Sequence, residues 1–241
     1  STIVMESLLQ YVAPPSRCGY LPDQLWQLEY EYVASMTPAE YMQRMLDGWR
    51  RFGSMVFRPR CQACSECKPL RIVVDRFRPD RSQRRARNMN DGTIRLRIGP
   101  PTVSAARLAL YDRYHSYQAE AKGWPVHPGK DAWEYAHSFV DNPFPTEEWC
   151  YFLGNKLIAV GYVDVLPAGL SAIYFYYDPA ERERSLGTWN ILSIIDRAAQ
   201  SGIPHVYLGY YVSGCGSMLY KARFKPNQIR CPDGVWRDFE G

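Results

Sequence analysis

Four cysteines in this sequence are spaced for a shared centre. Cys61-Gln-Ala-Cys64-Ser-Glu-Cys67 is a C-x2-C-x2-C run. Two-residue spacing lets successive thiolates turn inward onto one ion, as zinc sites and iron–sulfur loops both require. A closed site needs a fourth ligand, and Cys18 is the candidate because Gly19 permits a tight turn after it. Spacing alone does not separate zinc from an iron–sulfur cluster, and free buried thiols are the plain alternative. Cys150 lies in an apolar, strand-like run and reads as a small core residue. Cys215 lies in a Gly-rich loop with none of the four histidines (115, 127, 137, 205) near it in sequence, which speaks against Cys–His covalent catalysis. Seven unevenly placed cysteines suit metal binding or chemistry better than disulfides.

A second constellation runs from Leu208 to Pro226. Gly209, Gly214 and Gly216 allow close backbone approach. Tyr210, Tyr211 and Tyr220 offer flat surfaces for a base or an aromatic contact. Lys221, Arg223 and Lys225 alternate, so in an extended segment they would share one face; a Tyr-rich sheet with a basic rim is the bland alternative. Upstream, Tyr177-Asp178-Pro179 precedes Arg184-Ser185-Leu186-Gly187-Thr188 at a helix start. A helix N-terminus offers free N–H groups to an anion, although Ser185 and Thr188 are equally explained as ordinary caps. Only one glycine follows the strand there, a poor match to the pyrophosphate loop of a coenzyme A enzyme.

Net charge is only +4, but its distribution is uneven. Residues 76–97 hold eight arginines against Asp80 and Asp91. Arg78, Arg81, Arg84 and Arg85, with Ser82 and Gln83 among them, form a footprint suited to phosphates, for which arginine is the better bidentate ligand. A solvated helix face explains the same charge run equally well. No window is apolar enough for a transmembrane helix, and the first 18 residues lack the basic and apolar regions of a signal peptide. A cytoplasmic, monomeric protein away from membranes is expected.

These groups need positioning elements. With 241 residues and 46% hydrophobic content the chain can bury a sizeable core. Residues 1–75 read as a small cysteine-containing module, with short helices at 24–33 and 38–48 and strands at 55–59 and 70–74. Thr37, Pro38 and Glu40 mark the start of the second helix. Residues 76–241 read as a basic helix, a strand at 93–99, helices at 103–121 and 131–139, a three-strand meander, a helix at 188–201 and a strand at 205–212. That α+β order, a mixed sheet flanked by helices, is the order of the acetyltransferase-like (GNAT) fold, and fold alone does not give function.

Taken together, the motifs resemble the aminoacyl-tRNA–protein transferases. The matching stretches are Cys18-Gly-Tyr-Leu-Pro-Asp-Gln24, Gly48-Trp-Arg-Arg-Phe-Gly53, Arg58-Pro-Arg-Cys61, Cys67-Lys-Pro-Leu-Arg71 and Phe77-Arg-Pro-Asp-Arg-Ser-Gln-Arg-Arg85. Tyr177-Asp-Pro179, Arg184-Ser-Leu-Gly187, Gly209-Tyr-Tyr211 and Tyr220-Lys-Ala-Arg-Phe224 continue the match. The resemblance is closest to the bacterial aspartate/glutamate leucyltransferases: the eukaryotic arginyl relatives carry Cys-Gly-Tyr-Cys, where this chain has Leu21, and an adjacent cysteine pair in place of the C-x2-C-x2-C run.

The resemblance implies leucyl-tRNA as donor, an N-terminal Asp or Glu as acceptor, and marking of the acceptor protein for degradation; arginine as the transferred residue stays open. No cofactor is needed for the chemistry, because the donor ester is already activated. The expected oxyanion donors are N–H groups of Gly209–Tyr211 or of residues 213–217. Asp178, Tyr210 or Tyr211 would relay the proton. Arg78, Arg81, Arg84, Arg85, Lys221 and Arg223 would share the tRNA phosphates and the acidic side chain. A coenzyme A-dependent N-acetyltransferase and a zinc-ribbon nucleic-acid-binding protein are the rivals, and the latter leaves the second half of the chain unexplained.

Overall fold

The computed structural model describes residues 5–62 and 64–240. The first four residues, part of the stretch read above as no signal peptide, lie outside the described residues. An N-terminal antiparallel sheet is built from β1 (Glu6–Val12), β4 (Leu28–Ser35), β5 (Arg50–Phe52) and β6 (Met55–Pro59), in the order β1-β4-β6-β5; β2 (Ser16–Arg17) and β3 (Leu25–Trp26) form a separate short hairpin. Residues 24–33, read from sequence as a helix, are therefore extended. Leu28, Tyr30 and Tyr32 alternate with Glu29 and Glu31, and that two-residue period, with aromatic residues, favours a strand. Helix α1 (Pro38–Leu46) follows as expected: the Thr37 hydroxyl accepts from the Glu40 N–H, and Tyr41, Met42 and Met45 bury one face.

The second sheet has eight strands: β7 (Lys68–Val73), β8 (Ile94–Gly99), β9 (Thr146–Leu153), β10 (Lys156–Leu166), β11 (Gly169–Tyr177), β12 (His205–Tyr211), β13 (Asn227–Arg230) and β14 (Trp236–Asp238). Their order is β14-β13-β7-β12-β11-β10-β9-β8. Strand β7, read from sequence with the first module, sits inside this sheet between β12 and β13. Helices α2 (Arg81–Asn90), α3 (Ala105–Lys122), α4 (Ala132–Tyr135) and α5 (Leu186–Gln200) complete the chain, with α4 running on as a π-helical turn over Ala136–Val140.

Strand alternation divides the core. Trp149 and Tyr151 face α5, whose Leu186, Trp189, Leu192 and Ile195 bury against them. Cys150, Tyr162 and Tyr176 face α3, against Leu110, Tyr111 and Tyr114. A third core of Val33, Tyr41, Met45 and Trp49 reaches Leu166 and Tyr207 of the large sheet. The small sheet is also fastened by charge. Arg51 of β5, buried, donates through Nε to Asp164 of β10 at 2.9 Å and through Nη2 to Thr146 at 2.7 Å, and the Tyr41 hydroxyl donates to the same carboxylate.

The pairing between β11 and β12 is the only parallel one among the described strands, and it is short. Gly169–Ser171 pairs with His205–Tyr207, after which the strands part. Beyond that point β12 continues only on its β7 side, with a register shift between Tyr207 and Tyr210.

Candidate active site

The parted strands expose backbone that neighbouring cations occupy. Arg50 of β5 is buried, and its Nη2 donates to the Ala172 carbonyl at 3.1 Å, just past the last β11–β12 pair. Lys221 lies close by and donates through Nζ to the Tyr210 carbonyl at 2.8 Å. Gly209 lies beside both with φ +83°, a conformation suited to glycine. A Cβ there would come within 3.6 Å of Lys221 Nζ and 3.7 Å of Arg50 Nε. Burial, and then the nearby Arg50 guanidinium, push the Lys221 ammonium down to about 8. A lysine with that pKa exchanges protons near neutrality.

Lys221 belongs to a 3-10 helix over Gly216–Arg223. Lys221, Arg223 and Lys225 therefore do not share the face of an extended segment, as their alternation had suggested. Lys221 turns into the cleft while Arg223 pairs with Asp80 at 3.1 Å on the surface. The loop before this helix lies against the Cys18 turn: a Cβ on Gly214 would fall 2.9 Å from Leu21 Cδ2.

Two cavities flank Tyr210. One, of about 270 Å³, is walled by aromatic and aliphatic residues of the small sheet. The other, of about 300 Å³, brings Arg58, Arg60, Lys68 and Arg230 around a single carboxylate, Asp47. Cys61 and Cys67 line both. Burial, and then Cys18, Cys61 and Cys64, push the Cys67 thiol up to about 12, so the four cysteines do share one neighbourhood. The Cys18 sulfur accepts the N–H groups of Tyr20 and Leu21 at 3.4 and 3.3 Å. Among the described residues no three His, Cys, Asp or Glu side chains converge as a metal-holding group. Four thiols are nevertheless a donor type that suits zinc or an iron–sulfur cluster.

The other residues singled out from sequence fall in several places. Tyr210 and Tyr211 point to opposite faces of β12. The Tyr210 hydroxyl donates to the Gly48 carbonyl at 2.9 Å, and burial raises its pKa. Tyr211 packs in the main core against Phe239. Asp178 opens the turn over Pro179–Arg184 and caps the Ala180 N–H. Burial opposes its charge, but that N–H, Lys156 and Arg113 together hold its carboxyl below the usual range; its ion pairs are to Lys156 and Arg113 at 3.2 and 3.5 Å.

Arg78, Arg81, Ser82, Arg84 and Arg85 are exposed on or just before α2. Gln83 is buried: it closes a capping box with Asp80 and donates to the Arg223 carbonyl at 3.1 Å. Through Gln83, α2 therefore adjoins the segment carrying Lys221. Ser185 adopts φ +53° without a side-chain cap before α5, and Gly187 and Thr188 follow in its first turn, with open space where a Cβ on Gly187 would lie. Arg50 was missed from sequence. Two adjacent arginines between Trp49 and Phe52 are the signal, since arginines in so apolar a strand must find buried partners.

Comparison with known proteins shows the family. Residues 16–85 match the family described as "Arginine-tRNA-protein transferase, N terminus", and residues 106–231 match its "C terminus". The chain belongs to the arginine-tRNA–protein transferase family. As a member it is an aminoacyltransferase, in accord with the resemblance read from the motifs. It is 36% identical over 214 residues to a protein of Campylobacter jejuni named aspartate/glutamate leucyltransferase, covering 88% of this chain and 89% of the relative. Relatives of the same name in Nitrosococcus oceani and Helicobacter hepaticus are 38% and 32% identical; the former match covers 91% of each chain, the latter 97% of this chain and 99% of the relative. Among solved structures, L-PGS from Bacillus licheniformis aligns with a TM-score of 0.48 at 14% identity, over 83% of this chain and 62% of that one. No helix among the described residues is long and apolar enough to cross a membrane.

Proposed function

We propose that this enzyme transfers leucine from leucyl-tRNA to the α-amine of a protein that begins with Asp or Glu, marking it for degradation. The observation that carries the proposal is Lys221: a half-buried amine with its pKa brought down to about 8, beside Arg50 in the cleft between β11 and β12. Aminoacyl transfer needs such a group. The acceptor nitrogen attacks the ester carbonyl carbon, the bond to the tRNA ribose oxygen breaks, and one proton passes from the amine to that oxygen. Neutral Lys221 accepts the proton and returns it to the leaving oxygen. Arg50 Nε, facing Gly209, stabilises the developing negative charge. The basic cavity of Arg58, Arg60, Lys68 and Arg230 takes the acidic side chain, and the exposed arginines of α2 hold tRNA phosphates.

The remaining assignments follow the same reading. The order of meander, α5 and parallel β12 supports an acetyltransferase-like (GNAT) catalytic half. Charged tRNA as donor supports a cytoplasmic enzyme, acting as a monomer. Cys18, Cys61, Cys64 and Cys67 would hold a structural or regulatory zinc ion or iron–sulfur cluster; such a group would brace the walls of both cavities and take no part in the transfer. Metal analysis and an absorption spectrum of anaerobically purified protein distinguish these.

The transfer itself is tested by mixing the protein with leucyl-tRNA and peptides beginning with Asp, Glu or Ala. Transfer to the Asp and Glu peptides is expected. Transfer to the Ala peptide alone, or to none, overturns the proposal.

A further inference from the structure

We infer that the apolar cavity beside Tyr210 receives the side chain of the amino acid esterified to the tRNA, and that this cavity is what selects leucine over a cationic residue. The inference rests on the aminoacyl-transfer reading above and adds the site that sets donor choice.

Register places the cavity walls on one face of the small sheet. Tyr30 pairs with Phe57, Phe57 with Arg50, and Met55 with Phe52. Residues directly opposite in a ladder project to the same side, so Tyr30, Met55, Phe57 and Phe52 share the face from which Arg50 enters the cleft. Leu28, two residues before Tyr30, joins them. This face spans both lips of the parted strands. Phe52 contacts Tyr174 of β11 at 6.2 Å between ring centroids, and Phe57 contacts Tyr210 of β12 at 6.4 Å. Tyr210 is also the residue whose carbonyl holds Lys221. An ester carbon within reach of Lys221 therefore has the cavity beside it.

The lining decides the occupant. No Asp, Glu, Lys or Arg lines the cavity. The acids of β4 project to the opposite face, where Glu29 is paired with Arg58 and Arg60, and Glu31 with Arg44. A guanidinium entering the cavity would lose its water and find no carboxylate, a costly transfer. A branched aliphatic side chain loses nothing polar on entry. At about 270 Å³ the cavity lies just below the small end of the usual range for small-molecule pockets, roughly 300–1,000 Å³, which suits one side chain better than a nucleotide.

The test is kcat/KM for transfer to one Asp-initiated peptide from leucyl-, phenylalanyl- and arginyl-tRNA, in the wild type and in two variants. Hydrophobic pockets discriminate by about 10–200-fold per methylene. The wild type is expected to prefer leucyl- over arginyl-tRNA by ~100-fold or more. Met55→Ala enlarges the cavity and should raise the phenylalanyl-to-leucyl ratio by ~10-fold. Leu28→Phe narrows it and should lower leucyl transfer ~10-fold, through KM for the donor and with peptide KM unchanged. The two substitutions act in opposite directions, so either one that retains the wild-type circular dichroism spectrum suffices.

The inference is overturned if leucine is transferred but the ratios among the three donors shift by less than about twofold in the folded variants. A cavity that stacks the terminal base would lower all three donors together, and a merely structural cavity would alter none. Wild-type protein that transfers no amino acid overturns the proposed function itself, an outcome distinct from unchanged ratios.

Discussion

Lys221 holds a charge in a place that resists it. Desolvation and Arg50 oppose the ammonium, and among the described residues the Tyr210 carbonyl accepts from it. Its folded pKa, about 8, lies below the ordinary lysine value of 10.5. Below about 8 the lysine is charged in both folded and unfolded states, and the full destabilisation is present. As pH rises from about 8 to 10.5 the folded protein sheds the proton first, and stability increases across that window. Lys221→Met should therefore be more stable than wild type at pH 7, with the difference shrinking toward pH 10; denaturant unfolding at several pH values measures it.

Transfer should meanwhile fall by ~100–10,000-fold, the usual cost of losing a proton-transfer group. A variant no more stable than wild type would show that Lys221 carries no such strain. The acceptor amine titrates at about 7.7–8.0, so a pH–rate profile alone does not isolate the lysine. Of the site, Gly209 and Lys221 were visible in sequence as types suited to close approach and charge. Arg50 was not, because its role depends on strands that are distant in sequence parting beside it.

The element proposed to meet the tRNA is α2. Its capping box is local chemistry, Asp80 with Gln83, and its basic character is plain in the sequence. What the sequence could not show is that Gln83 also reaches Arg223, which joins the helix to the segment carrying Lys221. Arg81→Glu, Arg84→Glu and Arg85→Glu together should weaken tRNA binding and flatten its salt dependence, by about one unit of log–log slope per lost phosphate contact. Binding measured against salt concentration tests this, and an unchanged slope would return the helix to a solvated face. The helix read at 24–33 failed because its aromatic residues fit helical spacing as well as alternation, and the ladder with β6 decides between them. The 3-10 helix at Gly216–Arg223 was hidden likewise, since Lys221, Arg223 and Lys225 alternate in sequence whatever the backbone does.

At the scale of the whole molecule, the small sheet is fastened to the large one by the buried pair Arg51–Asp164. Removing one partner leaves the other charged and buried, so Asp164→Ala should cost ~3–5 kcal/mol, read as a lower denaturant midpoint. That pair fixes one end of the cleft, and the cysteine loop closes the other. Cys61 and Cys67 line both cavities, and the Cys18 turn is packed against the Gly214 loop that leads to Lys221. If the loop acts as a brace, its loss loosens donor and acceptor sites together without changing the proton-transfer group. Cys67→Ser and Cys18→Ser should then raise KM for both leucyl-tRNA and peptide, while the pH at which transfer is half-maximal stays where it is in the wild type. An increase in only one KM would confine the cysteines to one cavity. A shifted pH midpoint would place a cysteine in electrostatic contact with the reacting groups.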